Sequence, residues 1–151
     1  MTDRAKPLAL VTGVGPGTGA AVVRRFAEAG YRVAMLARDA ARLAALEQEI
    51  ADTIAVPCDV SDAAALERAV ADVGFPKVVV HNAVGGAFGT FMNIAPETLQ
   101  KNFDINTMAL FHLARLTSPA MIEAGEGALI VTGNTSAQRG KAAFAGFAPT
   151  K

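Results

Sequence analysis

The chain has 151 residues, 52% of them hydrophobic and 19% charged, with 14 Lys+Arg balanced by 14 Asp+Glu. At about 100–150 residues per domain this is enough apolar material for one core, and too much for a disordered segment. Zero net charge leaves no electrostatic footprint for nucleic acid or an anionic membrane, and one cysteine, Cys58, with two distant histidines, His81 and His112, supplies neither an internal disulfide nor metal-ligand spacing.

The start of the chain, Met1 to Lys6, is polar, and the apolar run after Pro7 is broken at Gly13, too early for a membrane span or a signal peptide. A soluble, cytoplasmic protein in a reducing compartment is the expectation. From there strands and helices are predicted to alternate, the signature of a parallel sheet with helices on both faces. Leu8-Ala9-Leu10-Val11 is a short continuous apolar run of the kind a buried parallel strand shows. A glycine-rich turn, Gly13 to Gly19, leads into a predicted helix from about Thr18 to Ala29. Val22, Val23 and Phe26 sit there among Arg24, Arg25 and Glu28, and Gly30 supplies a stop. A strand from Arg32 to Ala37 precedes a helix from Ala40 to about Ala51, read from the Leu43, Leu46, Ile50 spacing.

Thr53 to Pro57 reads as the third strand, with Ser61 as N-cap of a helix through Val73. Lys77 to His81 carries three consecutive valines, a buried fourth strand, and Asn82 to Asn93, with three glycines and no clear period, is a loop. One long helix is predicted from Pro96, whose ring suits a first turn, to about Ala124. Ala128 to Thr132 is the fifth strand, and Phe144 opens a further helix.

Most of the chemistry is announced by Thr12-Gly13-Val14-Gly15-Pro16-Gly17-Thr18-Gly19, between the first strand and the first helix. Glycines there let the backbone turn tightly and approach a pyrophosphate, while unpaired N–H groups at the helix start face its charge. The plain alternative is a tight turn without a ligand. The spacing T-G-x-x-x-G-x-G, carried by Thr12, Gly13, Gly17 and Gly19, resembles the fingerprint of the short-chain dehydrogenase/reductase family. Four further matches fall in family order. Asp59-Val60 resembles the pair that contacts adenine. His81-Asn82-Ala83-Val84-Gly85 is similar to N-N-A-G, with His for the first Asn and Val84 inserted. Asn106 stands at the active-site asparagine, and Thr150-Lys151 closes a motif resembling Y-x-x-S-K.

The resemblance implies a Rossmann-like, doubly wound parallel sheet and hydride transfer between a nicotinamide cofactor and a carbonyl or alcohol carbon. It makes Gly13, Gly15, Gly17, Thr18, Gly19, Asp59, Val60, Asn82, Ala83 and Lys151 candidate cofactor contacts. At the end of the second strand Ala37 is followed by Arg38, where NAD-preferring members carry an acidic residue, so NADP(H) is expected over NAD(H). Asp39, one position later, reads as a helix N-cap rather than a ribose contact, and a solvated loop charge is the plain alternative for Arg38.

In the family a tyrosine hydroxyl moves the proton, and a lysine four residues on lowers its pKa and binds the nicotinamide ribose. Counting back from Lys151, that tyrosine position holds Phe147, which has no proton to give. The family serine that polarises the substrate oxygen falls within Thr132-Gly133-Asn134-Thr135-Ser136-Ala137. Strict counting favours Asn134 or Thr135, whereas Ser136 is the only serine there; a polar turn without chemistry is the bland reading.

Three functional readings follow. One is an oxidoreductase that uses another donor, such as a water held by Asn106 and Lys151 or a hydroxyl of Thr135 or Ser136. A second is a catalytically silent dinucleotide binder with a structural or regulatory role. The third, a different Rossmann-like protein such as a methyltransferase, is opposed by Asn82-Ala83 and Asp59-Val60. The expected partner is a small-molecule substrate; Phe88, Phe91 and Met92 would face an apolar one or belong to the core. The resemblance implies pairing through the long helix that carries Asn106 and the helix that starts at the tyrosine position, so a homo-oligomer, dimer or tetramer, is expected for the complete protein, with Ala109, Leu113 and Leu116 either on that surface or in the core. The 151 residues read as a single dinucleotide-binding domain, incomplete at its C-terminus, since the family continues for roughly a hundred residues beyond its lysine.

Overall fold

The computed structural model describes residues 6–151; the polar stretch Met1–Ala5 lies outside the described residues. Five parallel strands, β1 (Leu8–Thr12), β2 (Arg32–Ala37), β3 (Thr53–Pro57), β4 (Val78–His81) and β5 (Ala128–Val131), form one sheet in the order β3-β2-β1-β4-β5. Between them run α1 (Thr18–Glu28), α2 (Ala40–Glu49) and α3 (Ala63–Val73). The β4–β5 crossover holds α4 (Pro96–Phe103), a π-helical turn (Asp104–Met108) and α5 (Ala109–Ala124).

The period of two along each strand divides the core. Ala9, Val11, Val33, Met35, Val78 and Val80 pack with Ala20, Val23, Leu43 and Leu46 of α1 and α2. The alternate residues Leu10, Ala34, Leu36 and Val79 pack with Leu66, Ala69 and Val70 of α3 and with Ile105, Ala109 and Leu113. Strands β1, β2 and β4 are therefore covered on both faces, which is why they read as continuous apolar runs rather than alternating ones. Each fully buried Leu or Val contributes about 1.5–3 kcal/mol of transfer free energy. β5 lies at the sheet edge, where Ile130 and Val131 stay 45% and 44% exposed.

Three local predictions change. Asp62, not Ser61, caps α3: its carboxylate accepts from Ala64 N and Ala65 N at 3.0 Å, while Ser61 turns back to Asp59. The long helix is interrupted by the π turn, whose wider winding turns the Ile105 carbonyl to a partner outside the helix. No α-helix starts at Phe144. That segment is held in turns by its bridge from Phe144 to Gly89, and only a 3-10 turn, Ala148–Thr150, follows. Ala109 and Leu113 belong to the domain core, and Leu116 packs against it.

Asp62→Ala removes the α3 cap and is expected to cost about 1 kcal/mol in chemical denaturation, within the 0.5–2 kcal/mol range of such caps.

Candidate active site and cofactor cleft

Crossovers from β1 and β4 leave toward opposite faces, so their C-terminal ends part and open a crevice. A cleft of about 620 Å³ lies there, lined by Gly13, Gly15, Gly17, Thr18 and Gly19, by Arg38, Asp59 and Val60, and by Asn82 and Ala83. It gathers the predicted cofactor residues from four strand ends, with the exception of Lys151. The glycines fit a phosphate cradle. Gly13 has φ +67°, and a Cβ there would lie 2.4 Å from Ala83 Cα; a Cβ on Gly19 would lie 2.5 Å from the Gly13 carbonyl. Gly15 and Gly17 face open space, and no side chain caps α1; Ala20 N donates to the Gly15 carbonyl at 3.0 Å, and the N–H groups ahead of it at the helix start are left for an anion.

Charge at the β2 end is net positive, with Arg38 and Arg42 against the single carboxylate of Asp39. Asp39 is spent on capping α2, accepting from Arg42 N at 3.0 Å and pairing with the Arg42 guanidinium at 3.1 Å. Arg38 and Arg42 both line the cleft; the second was not anticipated from sequence. Asp59 Oδ1 accepts from Ser61 Oγ at 2.7 Å and from Ser61 N at 3.0 Å. These bonds, with Arg38 and Lys101 nearby, hold its carboxyl below the usual range and keep it ionised.

Beneath the cleft, Thr12 and His81 are register partners on β1 and β4. Thr12 Oγ1 accepts from Asn82 N and Ala83 N, both at 3.2 Å, so its own proton is directed to His81 Nδ1 at 2.9 Å. His81 must then carry its proton on Nε2, which donates to the Ile105 carbonyl at 3.0 Å. Burial pushes the imidazole pKa down and keeps this ring neutral, at 1% exposure. Asn82 Nδ2 donates to the Gly13 carbonyl at 2.9 Å, tying the loop after β4 to the glycine loop.

A second network holds the C-terminal segment. Asn106, buried in the π turn, accepts from Gly85 N at 2.9 Å and donates to the Gly85 carbonyl and to Thr150 Oγ1, both at 2.7 Å. Both of its amide hydrogens are used, so its side chain has no donor left for a water. Thr150 Oγ1 donates to the Phe147 carbonyl at 2.7 Å, Thr107 Oγ1 donates to the Thr150 carbonyl at 3.0 Å, and Asn102 Nδ2 donates to the Gly146 carbonyl at 2.6 Å. Asn102 and Thr107 went unremarked in the sequence. The one local signal was that Asn102 and Asn106 stand four apart, as neighbours on a helix face do.

The candidate reaction groups lie beside this network. Of the three candidate substrate-polarising residues after β5, Asn134 and Thr135 are exposed and Ser136 is buried. Asn134 Oδ1 accepts from Ser136 N at 2.9 Å, and Ser136 Oγ has no hydrogen-bond partner. Lys151 Nζ donates to the Thr132 carbonyl, at the end of β5, at 3.2 Å and sits 5.8 Å from the Phe147 ring centroid; burial pushes its pKa down. Phe147 is itself buried, clustered with Phe88 and Phe144. Among the described residues no group of three or more His, Cys, Asp or Glu could hold a metal ion, and no helix is long and apolar enough to cross a membrane.

A doubly wound α/β sheet with a glycine-lined cleft at its switch point defines a dinucleotide-binding class. Residues 7–151 match the family model for short chain dehydrogenase, and the chain belongs to that family. It is 33% identical over 144 residues to D-erythrulose reductase of Gallus gallus, covering 95% of this chain and 58% of that protein. It is 31% identical over 144 residues to L-xylulose reductase of Bos taurus, covering 95% and 59%. A crystal structure of a metagenomic short-chain oxidoreductase in complex with NADP superposes with TM-score 0.90 at 31% identity, over 96% of this chain and 70% of that one. The chain thus spans less than two thirds of the length of these curated relatives.

The neutral, buried His81 gives a pH signature. Its folded pKa lies below the unfolded value of about 6.5, so the unfolded state binds the proton first and stability falls as pH drops below about 6.5. Urea denaturation between pH 7 and 5 is expected to show that loss, and His81→Asn to flatten it, in a window above the carboxylate titrations.

Proposed function

We propose that this chain is an NADP(H)-dependent oxidoreductase acting on a carbonyl or alcohol substrate. The observation that carries the reading is the cleft itself: a glycine cradle at the β1/β4 switch point, with Arg38 and Arg42 at the β2 end and the neighbouring carboxylate of Asp39 committed to its helix cap. Gly13, Gly15, Gly17, Thr18 and Gly19 would hold the pyrophosphate, Asp59 and Val60 the adenine, Arg38 the 2′-phosphate, and Asn82, Ala83 and Lys151 the nicotinamide half. When bound, the cofactor supplies a hydride at its nicotinamide ring. The chain's own task is then to hold the substrate oxygen and provide a proton. Ser136, with its buried and unpartnered hydroxyl, is the hydrogen-bond donor we assign to hold that oxygen; Thr135, exposed beside it, is the second choice. Asn106 acts as a brace, and Phe147 closes the apolar side of the site.

The names of the relatives favour small carbonyl compounds as substrates, ketoses among them. The 151 residues act as one dinucleotide-binding domain. A homo-oligomer would form through Leu99, Phe103, Phe111 and Ile122, which α4 and α5 leave exposed, rather than through Ala109, Leu113 and Leu116. The cytoplasm, where the single buried thiol of Cys58 stays reduced, is the proposed location.

Fluorescence titration is expected to give NADPH at least about tenfold tighter than NADH, the scale of one charge-assisted contact, and Arg38→Glu to remove that preference. A tenfold preference for NADH overturns the cofactor assignment. Turnover is expected with at least one of D-erythrulose, L-xylulose, 2,3-butanedione and acetophenone. NADPH binding without any turnover overturns the oxidoreductase reading in favour of a silent binder.

A further inference from the structure

A reduction must deliver a proton to the substrate oxygen, and with phenylalanine at 147 that proton needs another source; the argument rests on the functional reading above. Most groups at the C-terminal ends of the strands are excluded by their bonding. His81 is neutral, with Nδ1 accepting and Nε2–H given to the Ile105 carbonyl. The Thr150 hydroxyl is given to the Phe147 carbonyl, and the Asn106 amide is no acid. Asp59 is held ionised and carries no proton. Cys58 follows β3, four strand positions from β5 and so about 19 Å across the sheet. Ser136 has a proton but no base beside it to take its place in the chain of transfer. Lys151 differs from all of these. Its ammonium spends one of three N–H bonds on the Thr132 carbonyl, rests beside the Phe147 ring and keeps two donors for a ligand.

We propose that the Lys151 ε-ammonium itself donates the proton to the substrate oxygen. As hydride adds to the carbonyl carbon, the C=O π pair moves to oxygen and takes a proton from Nζ. The N–H bond breaks, the O–H bond forms, and a neutral amine is left. Lysine is half-buried rather than sealed, so water reprotonates it before the next turnover. In alcohol oxidation the same amine accepts the proton. Desolvation moves the group toward a working acid at physiological pH, since it disfavours the charged form. The residue before it is pinned by Asn106 and Thr107 through Thr150, which fixes where Nζ is launched.

Two measurements on the 151-residue protein test this. Side-chain NMR of 13C,15N-lysine-labelled protein, with and without NADPH, is expected to show Lys151 titrating below the ordinary lysine value of about 10.4. Reduction of the best of the four carbonyl probes named above is expected to fall with rising pH through that same pKa. Lys151→Arg keeps the positive charge for the cofactor but does not release a proton. It is expected to lose about 100-fold or more in kcat, the scale of a lost general acid and far more than it loses in NADPH affinity. Phe147→Tyr introduces a second acid and is expected to move the pH limb. A Lys151 that titrates with ordinary lysines, or a Lys151→Arg protein within about threefold of wild-type kcat, overturns this proposal and leaves the oxidoreductase reading standing. A wild-type protein that binds NADPH and reduces none of the four probes overturns both.

Discussion

The site depends on one hydroxyl. Where β1 and β4 part, the backbone must stop pairing across the sheet, and the first two N–H groups after β4 lose their ladder partners. Thr12 Oγ1 takes both, and the proton it then directs to His81 sets the tautomer of the ring, which in turn reaches the π turn through the Ile105 carbonyl. A short chain of bonds thereby couples the end of β1, the loop after β4 and the crossover helices, centred on the buried Thr12 and His81 where water cannot substitute. The crevice stays open because its floor is closed by these side-chain bonds rather than by sheet pairing.

A second division of labour follows from it. The candidate cofactor contacts come from strand ends that a rigid sheet positions, whereas the candidate reaction groups sit on the segment from Thr132 to Lys151, which carries little regular structure of its own. That segment is ordered from outside, by Asn102, Asn106 and Thr107 of the crossover helices and by the aromatic cluster of Phe88, Phe144 and Phe147. Asn106 is therefore better understood through what it holds than through what it could donate. In the family that the chain belongs to, a tyrosine is expected at the position of Phe147. The apolar ring here packs among other rings and beside an ammonium, which suits a site organised around the lysine.

Much of this was legible in the sequence. Continuous apolar runs marked β1, β2 and β4 because burial on both faces removes any alternation, and all five strands lie within a residue of their predicted limits. The glycine loop, Asp59, Asn82 and Ala83 were legible because each answers a local geometric demand. What escaped were effects of tertiary contact. Ser61 and Asp62 are both good caps, and only the turn at Asp59 decides between them. A helix after Phe144 was plausible on composition, yet the Gly89–Phe144 bridge and the bond from Asn102 claim that backbone instead. Thr12, Asn102 and Thr107 bond to backbone between 43 and 71 residues away, and no short window of sequence records that.

The contact between Gly13 and Ala83 carries an implication for how this chain can vary. The two positions are 70 residues apart in sequence, yet the space for any side chain at 13 is already filled by the main chain at 83. Neither loop can be redesigned alone: lengthening or re-aiming the one after β4 presses directly on the phosphate cradle. Insertions in the loop after β4 are thereby steered away from Asn82 and Ala83 and toward the stretch beyond Gly86. Length changes there leave the packing of Gly13 against Ala83 untouched.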